Sequence, residues 1–483
     1  MKSLTNTSYS PLHTLYLLAG IGAAVCVGWL TANMGILVPA FLILAAITLP
    51  SFIAVFHQPR VGLVVLVVYT FLVFVLSREL GGFPFGLGMD AILMVTWIAV
   101  IFNHRRYDWG KVKNDLCYLA YAWFILNILE LGNPAGASVQ GWLQEIRSSA
   151  LYWVMLVPLC FLLFDQKRYL NLFLYLIIAL SVLGTLNGFK QLYIGLSPGE
   201  QAFLDEGSAK THIIWGKLRA FSFYSDAAQF GASQAHLALI ALVLAFGPFR
   251  WWHRLTLAAA SGVLLSGMLI SGTRGALFVV LTGVVVALLL SRNLKVLLLG
   301  FAMAFSGFYV LKYTTIGNSN YNIMRMRTAL DPKDASLNVR LSNQLILRDY
   351  LRDRPFGGGV GVIGNWGVKY NSDKFLSSIP PDSYWVKVWA MYGIVGFVIW
   401  FGMMMFILGK CCGIVWNIQN KALKVKLIAL TAGAAGVLFS SYGNEIINGT
   451  PTAIIVYISW AFVFMAPQFD SYRLSTKALV PYA

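Results

Sequence analysis

The sequence predicts an all-α, polytopic membrane protein of about 12–14 transmembrane helices. Two observations indicate this class. Of the 483 residues, 58% are hydrophobic and 11% are charged, and the mean hydropathy of +0.71 is too apolar for a soluble globular protein. The hydrophobic residues also fall into runs of about 17–25, the length that an α-helix needs to cross a bilayer.

Fourteen runs meet this length criterion. The first thirty residues lack the basic start and cleavage pattern of a removable signal peptide, so the first run is expected to be retained as a span. The predicted spans are 13–32, 35–56, 61–77, 87–103, 115–131, 148–164, 169–194, 229–247, 252–270, 274–291, 295–313, 384–409, 424–442 and 450–467. They divide the chain into N-terminal transmembrane helices (1–313), a long polar loop (314–383) and C-terminal transmembrane helices with a cytoplasmic tail (384–483).

Lysine and arginine concentrate in alternate short loops, which are retained in the cytoplasm. Basic clusters occur at 57–60, 105–113 and 167–168, whereas the intervening loops carry acids such as Glu79 and Glu130. This alternation predicts a multi-pass protein with both termini in the cytoplasm and the long loop on the outer face. Because no ATP is present on that face, a reaction there draws on an activated substrate, or the step is passive binding or transport.

The composition also argues against several classes of function. The formal net charge of +17 is spread over turns without a nucleic-acid-binding motif, so membrane topology and anionic lipids explain it better than nucleic acid. Neither the five cysteines nor the histidines and acids have metal-ligand spacing. The glycines over 357–364 lack the Gly-Lys-Ser/Thr of a nucleotide loop, and a turn with close backbone approach is expected instead. No metal, nucleotide or other cofactor is expected.

The long loop carries the chemistry-bearing residues. Its apolar residues Leu337, Leu341 and Leu345, flanked by Ile346, Tyr350 and Leu351, recur at helical spacing. This predicts an amphipathic helix over 336–353 along the membrane surface, ended by Pro355 and the glycines after it. The loop is rich in arginine, and this combination suits an anionic, lipid-linked substrate. Arg340 either belongs to a solvated helical face or helps to hold phosphate.

Arg274 and Arg219 are the first candidate site residues. Arg274 lies in Ser-Gly-Thr-Arg-Gly at 271–275, where a membrane-edge arginine is costly and functional by default; the alternative is a snorkelling helix anchor. Arg219 opens the segment 219–226, and by itself it would be an ordinary interfacial arginine. Topology puts both on one face, where two arginines could clamp a diphosphate through charge-assisted hydrogen bonds.

Asp382 is the candidate general base, at the point where the chain re-enters the membrane. Its pKa would be raised by desolvation or lowered by nearby arginine, and either environment could tune a base. An alternative role is the N-cap of the next helix, and the two roles are compatible. Ser383 and Tyr384 beside it are assigned, with Arg340, to substrate binding.

These residues together resemble the O-antigen ligase and O-antigen polymerase superfamily of bacterial membrane glycosyltransferases. The resemblance rests on the many-span layout, the motifs at 219–226 and 271–275, the long loop with Arg340 and the turn at 355–361, and the motifs at 381–384 and 392–396. It implies that a glycan passes from an undecaprenyl diphosphate carrier to a sugar hydroxyl at the periplasmic face of the inner membrane, without metal or nucleotide. The acceptor is lipid A core in ligases, or another lipid-linked repeat unit in polymerases.

The resemblance also implies roles for individual residues. Arg219 and Arg274 would bind the diphosphate and stabilise its charge as it leaves. Asp382 stands where ligases usually carry histidine in a Pro-His-Asn-like motif, which favours a polymerase or a ligase-like enzyme for another surface polysaccharide. The competing class is a transporter or flippase of lipid-linked oligosaccharide, which also needs many spans and a basic cavity. The long asymmetric loop and the absence of repeated halves favour the enzyme.

Overall fold

The structure is a computed structural model that describes residues 11–34, 50, 53–292, 302, 306, 308–310, 312–319, 321–328, 335–381 and 383–470. Over this part of the chain the regular secondary structure is helical apart from one short antiparallel pair, β1 (Ile213–Ile214) and β2 (Lys217–Leu218). The α-helices in chain order are α1 (Pro11–Met34), α2 (Pro59–Leu80), α3 (Gly86–Phe102), α4 (Asp115–Leu129), α5 (Val139–Ile146), α6 (Tyr152–Leu163), α7 (Lys167–Tyr193), α8 (Pro198–Phe203), α9 (Ala209–His212), α10 (Ala227–Ala245), α11 (Trp251–Ile270), α12 (Gly275–Ser291), α13 (Tyr321–Thr328), α14 (Ala335–Leu351), α15 (Asn365–Tyr370), α16 (Tyr384–Asn417), α17 (Lys421–Ser440) and α18 (Thr452–Phe469).

The predicted fold class is confirmed. Within the described residues, nine helices are long and apolar enough to cross a membrane, and three shorter helices are also apolar. One of the nine runs from α5 to α6 through a π-helical turn at Arg147–Leu151. The predicted spans 35–56 and 295–313 lie mostly outside the described residues. Each of the other predicted spans coincides with an apolar helix.

Helices α10, α17 and α18 form the centre of the bundle. In their most apolar stretches 83%, 72% and 78% of residues are buried, whereas α11 at the periphery buries 28%. Small residues allow the central helices to approach closely. A side chain at Gly436 of α17 would overlap the backbone carbonyl of Val279 in α12, and one at Gly433 would overlap the imidazole of His236 in α10. These contacts pack α17 closely against both α10 and α12.

The long loop contains the amphipathic helix that the sequence predicts, as α14. Its buried side chains are Leu347 and Leu351, at 0% and 5% exposure, and they join the core. Leu341 and Leu345 stay about half exposed, at 47% and 54%. Of the residues predicted to be apolar, Leu351 therefore packs on the protein, whereas Leu341 and Leu345 do not. The placement of the helix along the membrane surface stays a prediction.

The glycine-rich turn after α14 docks against a kink in α16. Gly393 at the kink has φ 64°, which favours glycine, and a side chain there would overlap the carbonyl of Pro355. The amides of Gly358 and Gly359 donate to the carbonyls of Ala390 and Met391, both at 2.9 Å. The predicted close backbone approach is confirmed, and it fixes the turn against the first half of α16.

A buried ion cluster fixes the connection between α17 and α18. Lys387 Nζ of α16 lies 3.0 Å from Glu145 Oε2 of α5 and 3.1 Å from Glu445 Oε2 of the connection. Burial raises the pKa of the Glu445 carboxyl, and the Lys387 ammonium opposes this rise. The cluster joins three elements that are distant in sequence and holds Asn444, next to Glu445, in place.

Candidate active site

A cavity of about 990 Å³ lies where the 219–226 segment, the 271–275 turn, the long loop and the α17–α18 connection meet. We call it the arginine cavity, because Arg219, Arg274, Arg325 and Arg340, the cavity arginines, all line it. Lys210 adds a further cation. No aspartate or glutamate lines it in the part of the chain that the structure describes. This charge distribution suits an anionic ligand.

The segment that carries Arg219 is held by its backbone. The side-chain oxygen of Gln191 in α7 accepts hydrogen bonds from the amides of Phe221 and Ser222, at 3.1 and 2.9 Å. From the opposite side, the Arg78 guanidinium of α2 donates to the carbonyls of Ser222 and Ser225, at 2.8 and 3.0 Å. The segment is therefore ordered by two distant helices before any ligand binds.

Arg219 is fixed by hydrogen bonds to the other side of the cavity. Its guanidinium donates to the carbonyls of Ser271 and Thr211, at 2.9 and 2.8 Å, and to Thr273 Oγ1 at 3.0 Å. Burial and the neighbouring Arg325 lower the pKa of Arg219 to about 10. The side chain thus stays cationic at neutral pH, and an anion in the cavity would offset the repulsion between the two arginines.

The turn at 271–275 is shaped by glycine and by Arg325. Gly272 has φ 58°, and its carbonyl accepts a 2.6 Å hydrogen bond from Arg325 Nε. Ser271 Oγ accepts from the Thr273 amide at 3.1 Å, which closes the turn on itself. Arg325, 8% exposed, therefore both lines the cavity and orders the turn that presents Arg274.

Arg274 stands at the head of α12, where it marks a change from polar to apolar lining. Its Nη1 donates to Thr328 Oγ1 at 3.3 Å. Phe278 and Thr282, one and two turns further along α12, line the same cavity. One helical turn rises about 5.4 Å, so the face of α12 that lines the cavity extends about 11 Å along the helix, from the cationic Arg274 to Thr282. A diphosphate with a long apolar tail has this distribution of charge.

Two buried donors that line the cavity lack acceptors. Within the described structure, Arg340 Nε and Asn444 Nδ2 are buried and have no hydrogen-bond partner. A buried donor without a partner costs about 1–3 kcal/mol. Acceptor oxygens of a ligand would satisfy both groups, which indicates a binding site rather than a packing fault.

The structure thus brings together three of the sequence-predicted site residues, Arg219, Arg274 and Arg340. Ser383 and Tyr384 are placed elsewhere. Ser383 caps α16, its Oγ accepting from the Val386 amide at 3.3 Å. Tyr384 is 3% exposed and packs with its ring 5.6 Å from that of Trp400. Neither lines the arginine cavity, and their substrate-binding roles stay predictions.

Asp382 lies outside the described residues, so its role as the base stays a prediction. Pro380, two residues before it, lines the arginine cavity. The alternative role of Asp382 as the N-cap of the next helix is corrected, because α16 begins at Tyr384 and Ser383 is its cap. The helix starts one residue later than the sequence suggested.

Three cavity residues received no role from the sequence: Arg325, Lys210 and Asn444. Arg325 was visible in the arginine-rich stretch, and its position between Met324 and Met326 is a weak signal of partial burial. Lys210 and Asn444 carry no local signal, because they reach the cavity through tertiary contacts.

The described residues contain no cluster of three or more His, Cys, Asp or Glu side chains that could hold a metal ion. The nearby His212 is buried and occupied by backbone contacts: its Nδ1 lies 2.9 Å from the Ser208 carbonyl, and its Nε2 accepts from the Ala227 amide at 3.1 Å. Burial lowers the pKa of His212, so it is neutral at pH 7 and supports the start of α10.

Residues 259–401 match the family model described as O-antigen ligase. The matched range includes the 271–275 turn, Arg325, Arg340 and the start of α16, and it excludes Arg219. No curated protein matches the sequence.

Proposed function

We propose a specific glycosyl transfer for the arginine cavity, because residues 259–401 match the O-antigen ligase family model and the superfamily resemblance is thereby confirmed. The family makes the chain a glycosyltransferase-type enzyme of surface polysaccharide biosynthesis and a multi-pass membrane protein. The proposed donor is a glycan on undecaprenyl diphosphate. The proposed acceptor is a sugar hydroxyl, and the proposed location is the periplasmic face of the bacterial inner membrane.

The observation that carries the proposal is the lining of the arginine cavity. Its four arginines and Lys210 face a space with no described carboxylate, and an apolar face of α12 leads away from them. A lipid-linked diphosphate combines both kinds of surface. The unpaired donors of Arg340 and Asn444 add capacity for acceptor oxygens of the diphosphate or the glycan.

The chemistry is a direct displacement at the anomeric carbon. The acceptor hydroxyl oxygen attacks this carbon, and its new bond replaces the bond to the diphosphate oxygen. The electron pair of the broken bond leaves with undecaprenyl diphosphate, whose added charge the cavity arginines stabilise. The hydroxyl proton passes to a base, and Asp382 is the proposed residue. The energy comes from the activated donor, so the step needs no ATP; the absence of a metal is part of the proposal, as the superfamily resemblance implies.

The identity of the acceptor separates two enzymes within this proposal. A lipid A core acceptor makes the protein a ligase, and a second lipid-linked repeat unit makes it a polymerase. Asp382, at the position of the usual ligase histidine, favours a polymerase or a ligase for another surface glycan such as capsule or exopolysaccharide.

The test uses purified full-length protein in lipid vesicles that contain undecaprenyl-diphosphate-linked oligosaccharide, with lipid A core as a second acceptor. Mass spectrometry follows the lengths of the glycans, and chromatography follows released undecaprenyl diphosphate. We expect release of one undecaprenyl diphosphate for each glycan transferred.

Asp382→Asn is expected to lower the transfer rate strongly at equal protein level, and full activity of this variant would reject Asp382 as the base. Movement of the oligosaccharide across the vesicle membrane without any transfer would reject the enzyme in favour of a transporter.

A cell-envelope polysaccharide profile then distinguishes ligase from polymerase. A deletion strain with single repeats still attached to lipid A core would indicate a polymerase. Full-length polymer that remains on the lipid carrier would indicate a ligase.

A further inference from the structure

A second cavity lies at the opposite end of the bundle from the arginine cavity. It has a volume of about 580 Å³ and lies between α7, α11 and the start of α17. We call it the basal groove. Its residues on α7 follow helical spacing along one face: Asn171, Leu174, Tyr175, Ile178 and Ala179. Its residues on and before α11 do the same: Arg250, His253, Thr256, Leu257 and Ala260.

The groove exists because α7 and α11 diverge towards this end. Near the arginine cavity the two helices pack closely: a Cβ at Gly267 would lie 2.6 Å from Thr185 Oγ1, and one at Gly188 would lie 3.1 Å from Ile270 Cδ1. Towards the N-terminal ends of both helices the space opens, and no described side chain fills it. From Asn171 to Ala179 the open part extends about 12 Å along the helix.

The mouth of the groove is cationic. Arg250 and Lys426 line it together with His253, and no aspartate or glutamate among the described residues does so. The Lys426 ammonium donates to Asn171 Oδ1 at 2.5 Å and lies 5.5 Å from the centre of the Phe249 ring. These contacts hold the charge at the mouth, above the apolar walls.

The aromatic residues beside the mouth place it at a membrane surface. Trp251 and Trp252 directly follow Arg250, and they are 61% and 59% exposed. Tryptophan is enriched at the headgroup level of membranes. The cationic mouth therefore lies at headgroup depth, while the apolar walls of Leu174, Ile178 and Leu257 extend towards the acyl chains.

We propose that the basal groove binds an anionic glycerophospholipid, with its headgroup phosphate between Arg250 and Lys426 and one acyl chain between α7 and α11. Basic pockets between transmembrane helices recognise anionic headgroups in this way. The charge favours an anionic lipid over a zwitterionic one, and the apolar walls favour a lipid over free phosphate.

This site is separate from the arginine cavity. The 20 residues of α11 lie between them, a distance of about 30 Å along the helix. Phosphate groups at the two ends cannot belong to the same headgroup. The basal groove thus faces the leaflet opposite the donor diphosphate, which by the predicted orientation is the cytoplasmic leaflet.

The test is native mass spectrometry of purified full-length protein titrated with phosphatidylglycerol, with phosphatidylcholine of the same acyl chains, or with inorganic phosphate. The double variant Arg250→Gln/Lys426→Gln removes two charges from the mouth. The matched control Arg105→Gln/Arg106→Gln removes two exposed charges from another loop. Ala179→Trp fills the groove and leaves its charges in place, and a melting curve of each variant verifies folding.

We expect phosphatidylglycerol to bind more tightly than phosphatidylcholine. Removal of the two mouth charges should weaken it on the order of 25-fold, about fivefold for each charge, and the control should stay within about twofold of the wild type. Ala179→Trp should also weaken binding. Equal losses in the mouth variant and the control would overturn the proposal, as would equal affinity for phosphatidylcholine. Inorganic phosphate binding as tightly as phosphatidylglycerol would overturn the lipid as the occupant.

Discussion

Arginines from one stretch of sequence occupy two different environments in this protein. Two of the cavity arginines, Arg325 and Arg340, come from the same long loop as a second set, Arg348, Arg352 and Arg354, which we call the exposed arginine group. The exposed group lies in solvent on the described surface. The cavity arginines are partly or wholly buried and face one another across a space without described carboxylates.

The difference lies in what neutralises each charge. Arg348 lies 3.2 Å from Asp349, with 66% and 73% of the two side chains exposed, so water and an acid share its charge. Arg354 lies 4.1 Å from the centre of the Tyr350 ring. In the cavity, burial lowers the pKa of Arg219, and the neighbouring charges of Arg325 and Arg274 lower it further. An anionic ligand would offset this repulsion, which distinguishes a binding site from a solvated surface.

The largest expected effect is on catalysis. Replacement of Arg274 by alanine removes a cationic donor from the leaving diphosphate and should lower the transfer rate by about 10²–10³-fold. Arg219→Ala should act similarly. Arg274→Lys should recover part of the activity, because lysine keeps the charge and loses the planar fork. The rate of undecaprenyl diphosphate release measures each variant, and Arg352→Ala is the control, expected within about twofold. A similar loss of transfer rate in Arg352→Ala would contradict the proposed difference between the cavity arginines and the exposed arginine group.

The next largest expected effect is on the stability of the contact between the glycine-rich turn of the long loop and α16. Gly393→Ala places a side chain against the Pro355 carbonyl at a left-handed backbone position, and it should cost about 2–3 kcal/mol of unfolding free energy. Gly402→Ala is the matched control on the same helix, since no atom lies within 4 Å of its added Cβ. This control should be neutral or stabilise by about 0.5–1 kcal/mol. Denaturation in detergent measures the unfolding free energy of both variants. Equal stability of Gly393→Ala and Gly402→Ala would contradict the close contact between the glycine-rich turn and α16.

Arg325→Ala should have an intermediate effect on activity. It removes a cation from the cavity and the hydrogen bond to the Gly272 carbonyl, and a hydrogen bond to a charged group contributes about 1.5–3 kcal/mol. We expect kcat/KM to fall about 10–50-fold. If Arg325→Ala kept a normal kcat/KM, the 271–275 turn would not need Arg325 to hold Arg274 in the cavity.

The smallest effect is expected in the exposed arginine group. Arg348→Ala breaks an exposed ion pair and should change the unfolding free energy by less than about 0.5 kcal/mol. Its melting temperature should match that of the wild type at both low and high salt. A destabilisation above about 1 kcal/mol would mean that the exposed group has a structural role.

Most of the fold could be predicted from the sequence, because apolar runs and bilayer thickness determine where spans lie. The helix α14 was also predictable from its apolar spacing, which includes the buried Leu351, although Leu341 and Leu345 are exposed and the buried Leu347 was not in the predicted set. Periodicity shows that a face is apolar, and it does not show whether protein or lipid covers that face. The kink at Gly393 depends on a backbone contact with Pro355, which no local pattern reveals.

The candidate site was predictable in part. Arg219 and Arg274 stood in recognisable motifs at span ends, and topology placed them on one face. Arg325 was hidden among similar arginines, because its role depends on a hydrogen bond to Gly272 from a distant segment. Tyr384 was assigned to the substrate by its place beside Asp382. Side chains adjacent on a helix start point in different directions, and Tyr384 points into the core.

The central claim is that position, rather than net charge, makes the cavity arginines a diphosphate site. The most direct test measures the Kd of a polyprenyl diphosphate for the wild type, for Arg219→Ala/Arg274→Ala and for Arg348→Ala/Arg352→Ala. Both double variants lose two positive charges from the same protein. We predict that the cavity double weakens binding by at least about tenfold, more than 1.4 kcal/mol, while the exposed double stays within about twofold. Equal losses in the two double variants would contradict the account.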